Sequence, residues 1–232
     1  MKRLLVVTAV VLLLIAPVRA GDVGSTFGAL STARTIPSGD RLINVRVGVA
    51  DITSVAGVFG FGFSRTGDAR LKIGVIDDSG FKTSFSLGAD AKWQLMSMGK
   101  NRADSGGPAG SAPFDLAVGP LLEWFKVDFE NNPTFESQSV LQLGLAATGS
   151  FPVQLNKGGD LTPYGRLDAR IEWVSMNAAA GATPAGDQDD SQLALGLNLG
   201  VAWRPARSSV VLYGELQLDG NDGLFLGLDY LF

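Results

Sequence analysis

The sequence predicts an all-β protein, a closed antiparallel up-and-down transmembrane β-barrel of about ten strands, with eight or twelve strands as alternatives. Beyond residue 40, apolar residues alternate with polar ones in segment after segment. This two-residue period is typical of strands with one buried face. Beyond residue 20, no stretch keeps the apolar period of about 3.6 residues that an amphipathic helix needs. We therefore expect strands throughout the domain.

Residues 1–20 have the pattern of a secretory signal peptide. Lys2 and Arg3 precede an uncharged apolar run, and small residues stand at positions −3 and −1 before Gly21. The alternative is an uncleaved anchor, but the run is shorter than the roughly 20 residues that a spanning helix needs. We predict that the mature chain begins at Gly21. Residues 21–40 have no clear period, and residues 41–232 form the predicted barrel.

Ten segments supply the strands. The clearest runs from Phe81 to Leu95, where Phe85, Leu87 and Trp93 share a face. The other nine are Ile43–Val49, Val55–Phe63, Leu71–Val75, Phe114–Trp124, Leu141–Ala147, Leu167–Trp173, Leu193–Trp203, Leu212–Leu218 and Leu224–Phe232. Pro120 falls inside one of them and predicts a bulge there, because proline cannot donate to the ladder.

Alternation alone does not decide whether the apolar face points inward, as in a soluble barrel, or outward to lipid. The apolar faces carry no charge, and Trp124 and Trp173 fall at the opposite end from Trp93 and Trp203. Both features favour a membrane barrel, since aromatic residues gather at the two membrane interfaces. The polar faces are balanced in charge, as a filled lumen requires. The basic residues are Arg46, Arg70, Lys72, Lys82, Lys92, Arg166, Arg170 and Arg204, and the acidic ones are Asp90, Asp115, Glu123, Asp168, Glu172, Glu215, Asp219 and Asp229.

Part of this set is predicted to form an ion-pair network in the lumen: Lys82, Asp90, Lys92, Arg166, Asp168, Arg170 and Glu172. Carboxylates at this spacing could also serve acid–base chemistry, but a structural role is more usual. The chain has no Cys and no His, which excludes a Ser-His-acid triad, a Cys nucleophile and His or Cys metal ligands. The net charge of −4 argues against binding to nucleic acid. No catalytic residue, cofactor or metal site is predicted.

The last nine residues, Leu224–Phe232, resemble the C-terminal signal of bacterial outer-membrane proteins, with Phe232 and Tyr230 in its two aromatic positions. The overall plan of residues 41–232 is similar to the small OmpA-like and opacity-type barrel domains. This resemblance implies a place in the bacterial outer membrane, contact with its lipid bilayer and lipopolysaccharide, and recognition of the last strand by the barrel assembly machinery. Outer-membrane enzymes of similar architecture, the omptin proteases, the phospholipase and the lipid A deacylases, rely on a His that this chain lacks.

Three functions remain open on the sequence. The leading hypothesis is a non-enzymatic outer-membrane barrel with a structural or surface-interaction role. The second is a narrow pore or conduit for small amphipathic molecules. The third is a soluble periplasmic β-barrel that binds an apolar ligand.

Overall fold

A computed structural model describes residues 23–77, 81–97, 114–130, 132–155, 158–179 and 188–232. The predicted signal peptide and its cleavage site lie outside these ranges. Within them, no helix is long and apolar enough to cross a membrane.

The residues that the structure describes form twelve strands. They are β1 (Arg41–Ala50), β2 (Thr53–Gly62), β3 (Gly67–Asp77), β4 (Phe81–Lys82), β5 (Ser84–Met96), β6 (Asp115–Phe129), β7 (Phe135–Ser150), β8 (Val153–Leu155), β9 (Gly159–Ala178), β10 (Gln188–Arg204), β11 (Val210–Leu218) and β12 (Gly223–Leu231).

Ten of these strands close into a single antiparallel barrel, as the sequence predicts. Each pairs with its neighbours along the chain, and β12 returns to pair with β1. The short strands β4 and β8 pair only with β6 and β9. At the seam, Arg41 and Phe232 exchange both backbone hydrogen bonds, at 2.9 and 3.0 Å. Closure leaves the long strands without an unpaired edge.

The barrel has two distinct ends. The near end contains the start of β1 and the end of β12, and the far end contains the turn between β11 and β12, residues 219–222. Trp93 and Trp203 lie toward the near ends of their strands, whereas Trp124 and Trp173 lie toward the far ends. The sequence places these four residues in the same two groups.

The polarity of the barrel is the opposite of that of a soluble protein. Large apolar side chains cover the outside, and Leu193 and Leu145 are 70% and 68% exposed. The inward positions are polar, and Arg170, Gln142 and Glu172 are at most 1% exposed. A soluble barrel that binds an apolar ligand would need the reverse arrangement, so the structure does not support that alternative.

The expectation of a bulge at Pro120 is wrong. The pairing of β5 with β6 keeps one register across this point, from Asp90 opposite Leu121 to Trp93 opposite Val118. The irregularity lies instead between Gln94 and Met96. Proline removes a donor but adds no residue, so the ladder is interrupted here without a shift, while Pro120 stays paired with Leu145 of β7.

The seam generates a first prediction. Deletion of Phe232 leaves the Arg41 N–H and C=O without partners and should destabilise the barrel by about 1–3 kcal/mol, the net worth of two backbone hydrogen bonds. The folded fraction of the refolded protein, read from its migration on an unboiled gel, should fall. Phe151→Ala removes an exposed aromatic side chain away from the seam and serves as the control. Equal folded fractions for the two variants would contradict a closing role of Phe232.

Candidate functional site: the filled lumen

The N-terminal segment Val23–Asp40, which we call the plug, runs through the lumen from the far end to the near end. At the far end, the Ser25 N–H donates to Asp219 at 2.9 Å. Toward the near end, the Ile36 N–H donates to Asp68 at 2.7 Å. Between them, Phe27 is only 1% exposed. The segment for which the sequence predicts no structure therefore occupies the interior of the barrel.

An apolar cluster fills the far end of the lumen. In this cluster, Val23 of the plug packs against inward-facing apolar residues of the wall, and none of the residues in the cluster is charged. Such a cluster excludes water and ions, because both need polar partners. Its members are Val23, Ile76, Phe125, Val127 and Val140, with Ile52 and Val174 packed against them.

The centre of the plug is held by the carboxylate of Glu215. Its two oxygens accept the N–H groups of Ala29 at 2.6 Å and Leu30 at 2.8 Å. Successive amides that converge on one anion form a backbone nest. The Tyr164 hydroxyl, at 2.7 Å, and the Asn198 amide, at 3.1 Å, donate to the same carboxylate. Four donors thus fix one buried anion and, through it, the position of the plug.

Gly28 is required by the backbone conformation next to this nest. Its φ of +64° lies in the left-handed region, where side chains are strained. A Cβ at this position would also lie 2.9 Å from the Phe225 ring and 3.0 Å from Glu215. A larger residue here would push the plug away from the wall.

Arg170 is the hub of the charge network toward the far end. Its guanidinium lies 2.7 Å from Asp168, 2.8 Å from Glu172 and 3.1 Å from Asp219. Arg166 adds a longer contact of 3.8 Å to Asp168. These groups are almost fully buried, so each charge depends on the others for compensation.

Two lysines connect the wall to the plug. Lys72 pairs with Asp90 at 2.9 Å and Glu123 at 3.3 Å, and its ammonium lies 5.4 Å from the centre of the Phe27 ring. Lys92 donates to the Ser31 hydroxyl at 2.8 Å and to two plug carbonyls, and lies 3.7 Å from Asp68. Lys72 of β3 therefore binds carboxylates of the wall, and Lys92 of β5 binds the plug backbone.

Six of the seven residues proposed for the network face the interior: Asp90, Lys92, Arg166, Asp168, Arg170 and Glu172. Lys82 is exposed at the far end, in β4, and lies outside this buried group. Arg204 is exposed as well, whereas Asp68, which the sequence analysis does not include, is fully buried. No signal in the alternation separates a lumen residue from one at the rim.

The buried charges do not balance. Among the residues in the described ranges that are buried, six are basic and eight are acidic. Plug amides compensate part of this surplus, because Asp219, Glu215 and Asp68 each accept a plug N–H. In the same ranges, no group of three or more acidic side chains could hold a metal ion. The arrangement suits a structural filling of the lumen.

No known protein family matches the sequence, and no curated protein sequence does so either. Solved structures that are similar to it are outer-membrane β-barrels. The N-terminal β-barrel domain of Pseudomonas aeruginosa OprF is 9% identical, with 85% of this chain and all of that chain covered and a TM-score of 0.38. The translocator domain of the autotransporter NalP from Neisseria meningitidis is 12% identical, with 84% and 89% covered and a TM-score of 0.46. The attachment invasion locus protein Ail of Yersinia pestis is 11% identical, with 85% and 100% covered and a TM-score of 0.41.

The nest generates a second prediction. Glu215→Gln replaces one acceptor oxygen by an NH₂ group and so leaves one plug amide and one wall donor without their acceptor, at a cost of about 1–3 kcal/mol for each buried donor. The plug should loosen, and trypsin should then cut after Arg34. Mass spectrometry of the digest detects the fragment that ends at this residue.

Glu136→Gln changes an exposed carboxylate of β7 and is the matched control. The full chain and this control should resist cleavage after Arg34 under conditions in which the Glu215 variant is cut. Identical digestion of all three proteins would show that Glu215 does not hold the plug.

Proposed function

We propose that this chain is a non-enzymatic β-barrel of the bacterial outer membrane, whose lumen is occluded by its own plug. Its role is structural or depends on interactions at its surface. The observation that carries this proposal is the inverted polarity of the barrel, apolar outside and charged inside. In water, an exterior of this kind would be an aggregation surface, whereas in lipid it is the expected one.

The distribution of aromatic residues supports a membrane setting. At the near end of the barrel, Phe63 and Trp93 make an edge-to-face contact with their ring centres 5.7 Å apart, and Tyr230 stacks on Phe232 with ring centres 6.2 Å apart. Trp203 donates its indole N–H to the Gly158 carbonyl at 3.0 Å. Amphipathic rings with one polar partner favour the boundary between lipid and water.

The outer-membrane lipids and lipopolysaccharide are then the partners of the apolar exterior. The last strand, β12, is the segment that the barrel assembly machinery would recognise. Its outward residues Leu224, Leu226, Leu228 and Tyr230 are 44–53% exposed, and the same strand closes the barrel on β1.

The position of the plug in the lumen favours an occluded barrel and argues against an open pore. The apolar cluster lies across the plug and the wall at the far end, and buried salt bridges and plug backbone lie in the centre. A diffusion path would require the plug to leave the lumen, and this would strand the carboxylates that it satisfies. We therefore favour the structural or surface role over a narrow pore or a conduit for amphipathic molecules.

The far end is the surface that we assign to the outside of the cell. Its rim carries exposed acidic side chains at the ends of β6, β7 and β10, among them Glu130, Glu136, Asp189 and Asp190. The ends of β6, β7, β9 and β10 that carry the connections 130–134 and 179–187 then face outward, and the ends of β5 and β6 that carry the connection 97–114 face the periplasm. Residues 131, 180–187 and 98–113 of these connections lie outside the described ranges.

The lipid-facing exterior generates a third prediction. Ile73 is 60% exposed near the middle of β3, and Ile73→Arg should destabilise the barrel in lipid by about 2–4 kcal/mol, the cost of a charge at the bilayer midplane. Urea titration of the protein in vesicles, followed by the difference in migration between boiled and unboiled samples, measures the loss.

Val153→Arg places the same charge on β8 at the near rim and should cost only about 0–1 kcal/mol. If both variants are as stable as the unmodified chain, or if the full chain stays soluble without detergent or lipid, the membrane assignment is wrong.

The occlusion generates a fourth prediction. The full chain in a planar bilayer should give no stable conductance steps, because the plug and the buried side chains around it occupy the lumen between the described strands. Deletion of residues 23–36 should open it, and the current should favour cations because buried acidic residues outnumber basic ones. Stable conductance steps from the full chain would refute the occluded barrel, whatever the deletion variant shows.

A further inference from the structure

A recess of about 140 Å³ lies at the near end of the lumen, between the plug and a wall formed by β9 to β12 together with β1 and β3. Such a volume holds several water molecules or one small polyatomic ion. Its polar lining combines three guanidinium groups, three threonine hydroxyls and a phenol with only two carboxylates. These residues are Arg34, Arg70, Arg204, Thr32, Thr35, Thr162, Tyr213, Asp160 and Asp229.

Arg70 is the unusual member of this lining. It is 3% exposed, yet no hydrogen bond and no ion pair within 4 Å engages its guanidinium among the described residues, and its Nε is a buried donor without a partner. Each of the other buried cations has at least one ion pair or hydrogen bond there, although Arg46 Nη2 and Arg166 Nε also lack a hydrogen-bond partner. Lys72, Lys92, Arg166 and Arg170 have ion pairs, and Arg46 donates to Asn44 and to plug carbonyls.

Each carboxylate around Arg70 already accepts from another donor, although Asp68 Oδ1 has no hydrogen-bond partner among the described residues. Asp68 accepts the Ile36 N–H at 2.7 Å, and Asp90 pairs with Lys72 at 2.9 Å. Asp229 accepts from the Asn44 amide and from the Tyr213 hydroxyl. They neutralise the charge of Arg70 at a distance but leave its hydrogen bonds unmade, and a buried guanidinium without acceptors is costly.

We propose that the recess binds a small oxyanion, a phosphate or carboxylate group, with Arg70 as its principal ligand. A planar guanidinium offers paired donors that match two oxygens of such an anion. The Thr162 hydroxyl has no partner among the described residues and adds a neutral donor, and Arg204 adds charge at the exposed side of the recess. The recess lies inside the barrel, away from the apolar exterior, so the anion enters from solution at the near end and not from a lipid headgroup.

The test is calorimetric titration of the full chain, refolded in an uncharged maltoside detergent, with inorganic phosphate and separately with acetate, and with chloride as reference. One of the two oxyanions should bind saturably, with a dissociation constant in or below the millimolar range. Arg70→Gln should weaken that binding about tenfold or more, equivalent to about 1.4 kcal/mol. Arg70→Lys keeps the charge and should restore part of the affinity.

Thr162→Val keeps the side-chain volume and should weaken binding less than Arg70→Gln, so it tests the same recess if the Arg70 variants do not fold. Lys126→Gln is the control, because Lys126 lies toward the far end, away from the recess, with its side chain 44% exposed and paired with Asp128. Migration on an unboiled gel establishes that each variant is folded. Failure of both oxyanions to bind the full chain saturably, or affinities unchanged in folded Arg70→Gln and Thr162→Val, would overturn the proposal.

Discussion

A closed lumen with more buried carboxylates than cations must provide other donors, and the rest of this structure depends on that constraint. The plug provides them from its backbone. Glu215 accepts two successive plug amides, and Asp219 and Asp68 accept one each at opposite ends of the lumen. Because the donors are amides of one continuous segment, the segment can satisfy anions along the whole interior without bringing further charge into it.

The same constraint explains the composition of the plug. Arg34 is its only basic residue between Val23 and Asp40, and it pairs with Asp115 at 2.9 Å. Small residues dominate the rest, and Gly28 adopts a backbone conformation that directs the next two N–H groups toward one carboxylate. Bulky side chains would fill the space in which wall and plug backbone meet. A sequence of this kind has no amphipathic period. The two-residue alternation that predicts the strands of the wall therefore gives no prediction for the plug.

The barrel itself could be predicted because each strand has one face in contact with an apolar phase, and a two-residue period records that directly. The ten strands, their closure and the two groups of tryptophans all follow from it. Alternation does not record where a strand leaves the lumen. Lys82 continues the polar phase of its segment, yet the chain passes from β4 to β5 at Thr83 and leaves Lys82 at the rim. The sequence does not predict Asp68 as a lumen residue, because Asp68 lies next to the turn and before the first apolar residue of the alternating segment Leu71–Val75.

The lumen changes in character along its length, and this gradient gives the barrel a direction. At the far end, Val23 packs among apolar side chains of the wall. At the near end, the plug and the wall leave a recess between them, and the guanidinium of Arg70 in its lining has a buried Nε without a hydrogen-bond partner. The described interior is therefore apolar around Val23 at one end and polar around the recess at the other. The two ends of the lumen thus differ in the chemistry that the plug and the wall present, and this difference follows from which wall residues the plug meets along its path.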